Sequence, residues 1–183
     1  HTETKTYAYQ ILENLYFANI GKINDEPHTI KFLCEELGIT HIVSIDIKIN
    51  NLPNTIHELH IKKDYGEHIY DAEIENIVEF IHNGRINGKV IVLGLHCYTK
   101  QSIVVIFYML AMYSASVYDA MQFIMLRINN KPIPKYIMKY LMLYEKKYDK
   151  TFIHHTKKKT KARVMGTKMI KKYQESYKII ISD

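Results

Sequence analysis

The chain has 183 residues, of which 47% are apolar and 24% charged, with a formal charge of +6. These are the proportions of one ordinary globular domain with a sizeable core. Two cysteines, Cys34 and Cys97, exclude a disulfide framework and point to a reduced intracellular setting, cytoplasmic or nuclear. The apolar run from Ile103 to Tyr113 is too short to span a bilayer, so no membrane role is expected. No signal peptide opens the chain, which carries little weight in a sequence that starts at His1. The charge is uneven. Residues 151–183 hold nine Lys/Arg against Glu175 and Asp183, whereas residues 1–150 hold 16 basic and 17 acidic side chains. The basic character therefore belongs to a C-terminal extension.

Residues 1–10 read as a polar N-terminal arm, residues 11–150 as the domain, and 151–183 as the basic extension. A short strand is expected at Asn14-Leu15-Tyr16-Phe17. Ile30, Leu33, Cys34 and Leu37 then recur at helical spacing, with Gly38 as the stop. Cys34 reads as a core residue of that helix. His41-Ile42-Val43-Ser44-Ile45 is a β-branched run and reads as a buried strand. Turn chemistry at Asn50–Asn54 leads to a half-exposed strand at Ile56–Ile61. Ile74, Ile77, Val78 and Ile81 share one face of a helix from Tyr70 to His82 that Asn83-Gly84 is expected to close. Val90 to Leu95 reads as a buried strand, and Thr99–Tyr113, Tyr118–Asn129 and Lys135–Lys147 as helices. Alternating strands and helices predict an α/β fold, a mostly parallel central sheet flanked by helices.

The most informative stretch is the passage from the strand ending at Leu95 through His96-Cys97-Tyr98-Thr99-Lys100-Gln101-Ser102-Ile103. It aims a thiol at the N–H groups of a helix N-terminus, where anions bind, at the carboxyl end of a strand. The stretch resembles the signature loop of the cysteine phosphatases, His-Cys-x-x-Gly-x-Ser/Thr-Arg. Three further passages are similar to the small dual-specificity phosphatases: Ile11–Asn19, Leu37-Gly38-Ile39-Thr40-His41-Ile42-Val43, and Asp119 to Glu145 with its turn at Pro132 and Pro134. The resemblance covers residues 10 to 148. It implies that family's fold, with Cys97 as nucleophile, Asp64 as leaving-group acid with Asp71 as fallback, and residues 96–103 as the phosphate loop. Ser102 stands where the family's Ser/Thr assists departure of the thiolate.

Two positions break the pattern: Lys100 replaces the loop glycine and Ile103 the arginine. An arginine grips phosphate with two charge-assisted hydrogen bonds in fixed geometry, and isoleucine offers no donor. Losing one transition-state donor typically costs about 100- to 1000-fold. A side chain at the glycine position strains the loop or re-aims its amides. Without the arginine, the Cys97 thiol also loses a charge that would favour its thiolate. The expectation is a pseudophosphatase, with Cys97 and Asp64 vestigial, that binds a protein partner, phosphorylated or not. The alternative is an active dual-specificity phosphatase or RNA 5′-phosphatase with Lys100 in place of the arginine. No cofactor is expected, and His154-His155 lacks further ligands at zinc spacing. Lys157, Lys158, Lys159, Lys161 and Arg163 read either as a solvated segment or as a polyanion or nucleic-acid contact. Tyr173, Tyr177 and Ile179–Ile181 are apolar enough to dock as a strand or to pack on a partner, and docking is expected for the last ten residues.

Overall fold

A computed structural model describes residues 6–20, 26–61, 74–94, 99–113, 115–128, 134–151 and 178–182. The chain divides into two compact units, His1–Asp64 with Glu79–Gln101 and Lys178–Asp183, and Tyr65–Val78 with Ser102–Tyr177. The elements follow in chain order: β1 (Thr6–Leu12), β2 (Leu15–Asn19), α1 (Glu26–Glu35), β3 (His41–Ile45), β4 (His57–Ile61), α2 (Ile74–Asn87), β5 (Val90–Gly94), α3 (Thr99–Tyr113), α4 (Val117–Arg127), α5 (Lys135–Thr151) and β6 (Lys178–Ser182).

The first unit is built on a six-stranded sheet of order β4-β3-β5-β2-β1-β6. The β4–β3, β3–β5 and β5–β2 pairs are parallel, as the alternating elements require, and β1 pairs antiparallel with β2 and β6. Strand periodicity then divides the residues between two faces. Ile42, Ile91, Leu93, Tyr16 and Ala18 share one face and form a buried cluster with Ile30 and Leu33 of α1. Cys34 packs at the edge of that cluster, half-buried rather than fully enclosed. Burial, and secondarily the Glu35 carboxylate, push its thiol up from the ordinary range.

On the other face, His41 and Val90 meet the C-terminal half of α2. The Phe80 ring lies edge-on to His41 at 5.5 Å. A Cβ at Gly84 would come within 2.5 Å of Val90 Cγ2 and 2.9 Å of His41 Cγ. Gly84 therefore does not close the helix. It lets α2 lie close on the strands, and the helix continues to Asn87. Its last turn is tied down where Arg85 Nε donates to Glu13 O at 2.7 Å and Asn14 Nδ2 donates to Arg85 O at 3.2 Å.

The N-terminal segment departs from the expected arm, because Thr6–Leu12 is a strand and Ala8 is fully buried. Glu13-Asn14 turns it back into β2, with Asn14 at φ +60°, a left-handed conformation that Asn accepts better than most residues. At the far end of the sequence, Lys178–Ser182 pairs with β1, with Tyr7 opposite Ile180 and Ala8 opposite Ile179. The last residues thus dock as a strand on the domain. Residues 152–177, including the basic cluster, lie outside the described residues.

In the second unit, α4 starts at an N-cap where the Asp119 N–H donates to Ser116 Oγ at 3.0 Å. Phe107 of α3 lies edge-on to Tyr140 and Tyr144 of α5, at 6.0 and 4.9 Å. Arg127, almost wholly buried, lays its guanidinium over the Phe123 ring at 4.4 Å. No helix among the described residues is long and apolar enough to cross a membrane.

Candidate functional site

Three adjacent parallel strands, β3, β5 and β2, end at Ile45, Gly94 and Asn19. The carboxyl ends of such strands are where open α/β sheets bind ligands. The first turn of α3, Thr99-Lys100-Gln101, belongs to the same unit and meets these ends.

Two of its side chains, Lys100 and Gln101, have definite partners. Gln101 is completely buried, and its Nε2 donates to Ala18 O at 3.0 Å and to Asn19 Oδ1 at 2.6 Å. The amide pins the start of α3 to the end of β2. Its Oε1 finds no hydrogen-bond partner among the described residues. Gly94 makes room for this anchor, since a Cβ there would come within 2.6 Å of the Gln101 amide. A side chain at position 94 would force the Gln101 amide to move from this anchor.

Lys100 turns to β3 and forms an ion pair and hydrogen bond with Asp46, the residue just past the strand. Asp46 holds φ at +59°, and its N–H continues the ladder by donating to Ile61 O at 2.9 Å. The pair answers a local electrostatic problem. A cation in the first turn of a helix opposes the helix dipole, and no acidic residue of α3 offsets it there. The Asp46 carboxylate supplies the missing negative charge from the neighbouring strand. Both side chains are about one-fifth exposed, so water screens the attraction only in part.

Ser102 and Ile103 open the second unit's share of α3, at 0% and 4% exposure. Position 103, where the signature loop would carry its arginine, is an enclosed apolar side chain within a helix.

Among the predicted site residues, the structure therefore describes Thr99, Lys100, Gln101, Ser102 and Ile103 as the first five residues of α3. His96, Cys97, Tyr98, Asp64, Asp71, Lys157, Lys158, Lys159, Lys161 and Arg163 lie outside the described residues. Sequence reasoning missed Asp46. Its signal was an acidic side chain directly after the β-branched run 41–45, at the ligand-binding end of a strand. It also missed the anchoring role of Gln101 and its dependence on Gly94. Among the described residues, no group of three or more His, Cys, Asp or Glu side chains is arranged to hold a metal.

No protein-family model matches the chain. No curated protein sequence matches it either. Solved structures do. The crystal structure of DUSP15 aligns over 85% of this chain and 94% of its own length, at 18% identity and a TM-score of 0.62. A leucine-rich-repeat and phosphatase-domain protein from Entamoeba histolytica aligns over 79% and 94%, at 18% identity and a TM-score of 0.64. Human DUSP28 aligns over 76% and 93%, at 15% identity and a TM-score of 0.62. The likeness spans nearly the whole of each neighbour and agrees with the strand–loop–helix order read from the sequence. The chain has the fold of the dual-specificity phosphatases.

Proposed function

We propose that the protein is a pseudophosphatase: a domain of phosphatase fold that binds a protein partner and no longer turns over phosphoesters. The observation that carries this reading is the pairing of Lys100 with Asp46. Lys100 is the cation closest in sequence to the missing arginine, and an active enzyme of this type would need it to grip phosphate. It is engaged by a carboxylate of the chain itself. Ile103 supports the same reading, because a buried isoleucine supplies neither charge nor donor. Cys97, kept without its clamp, is then a remnant nucleophile, and Asp64 a remnant acid.

Binding and turnover are separable by capture. An active phosphatase releases each substrate as product, so it retains phosphorylated partners only when its nucleophile is removed. A binding module retains its partner whatever stands at position 97. Immobilised wild-type protein and Cys97→Ser should therefore capture the same proteins from native lysate in equal amounts. Proteins retained by Cys97→Ser alone, and lost after the lysate is dephosphorylated, would show that the wild type is an enzyme.

A further inference from the structure

We infer that Asp46 is a built-in counter-anion that keeps Lys100 from binding tetrahedral oxyanions, and that removing its charge opens a phosphate-binding site at the start of α3. The inference rests on the proposed reading of residues 96–103 as an altered phosphate loop, and it names what now occupies that loop's cation.

Asp46 sits at φ +59°, where an aspartate is tolerated but a glycine is easier. That conformation breaks off the extended path of β3 at the strand's carboxyl end. The carboxylate and the Lys100 ammonium meet across 54 positions of sequence. Around them the frame is rigid: Gln101 is fully buried and anchored on Ala18 and Asn19, and Gly94 packs against its amide. Lys100 is thus carried on a fixed helical turn, next to an occupant that is already an anion. A phosphate approaching Lys100 would have to displace that carboxylate or accept its repulsion. Both lower affinity for an oxyanion.

Asp46→Asn keeps the size of the side chain and a residue type that accepts positive φ, while removing the charge. Asp46→Gly removes the side chain and suits the same φ, so it serves if the asparagine variant folds poorly. Calorimetric titration with inorganic phosphate, and separately with tungstate, is the measurement. Wild type should show no saturable binding. Asp46→Asn or Asp46→Gly should gain saturable binding, a rise in affinity of roughly tenfold or more over the limit that the wild-type titration sets, as expected for one charge-assisted contact. Adding Lys100→Gln to either should abolish the gain.

Saturable binding by wild type would overturn the inference, as would a gain in the Asp46 variants that survives Lys100→Gln, or no gain in either folded variant. The outcome is distinct from that of the pseudophosphatase reading, because binding is measured without turnover. An Asp46 variant that binds phosphate and hydrolyses nothing supports both. One that gains Cys97-dependent turnover supports the counter-anion and shows the catalytic groups to be intact.

Discussion

At the scale of single residues, His41 is expected to make the stability of the fold depend on pH. The His41 and His57 rings stack at 4.7 Å, one on β3 and one on the edge strand β4. Burial first, and then the charge of His57, hold the His41 imidazole below its usual range. Thr40 Oγ1 lies 2.7 Å from its Nδ1, whereas the nearby Lys89 ammonium donates to Leu37 O at 3.1 Å. A histidine with a depressed folded-state pKa favours the native state above its unfolded value of about 6.5, and that stability drains away as the pH falls below it. The urea midpoint should therefore drop between pH 7 and pH 5.5. His41→Gln should flatten that drop, whatever it does to stability at pH 7. An equal slope in the two proteins would show that His41 is not the group responsible.

At the scale of elements, the sequence was most legible where local pattern and tertiary demand agree. The β-branched run set β3 at His41–Ile45, and the apolar helix α3 runs from Thr99 to Tyr113 as expected. The misreadings came where packing overrode local signals. Asn83-Gly84 looks like a helix stop, yet Gly84 is retained inside α2 because β5 and His41 leave no space for a Cβ. Thr6–Leu12 has weak alternation of its own and becomes a strand through its neighbours β2 and β6. The pairing of β6 has a consequence for stability. Ending the chain at Thr151 removes the antiparallel partner of β1 and leaves its outer edge unpaired. The melting midpoint should fall, by about 3 °C for each kcal/mol lost in a chain of this size. The truncated protein should also associate more readily through that edge. An unchanged midpoint would show that β6 adds nothing to the fold in solution.

At the scale of the whole molecule, the fold class was readable because strand–helix alternation and the order of motifs are distributed over most of the chain. The state of the site was less so. Lys100 and Ile103 can be read from the sequence as departures from the signature loop it resembles, but the pairing of Lys100 with Asp46 joins residues from separate elements, and nothing local to either announces it. Ile103 is enclosed and Lys100 is engaged by Asp46, and the proposed loss of turnover rests on these two positions. The most direct measurement is the steady-state release of phosphate from a small aryl phosphate by purified wild-type protein, compared with Cys97→Ser over the same preparation and pH range. The two rates should be indistinguishable; a wild-type rate clearly above that of Cys97→Ser would make the protein a working phosphatase.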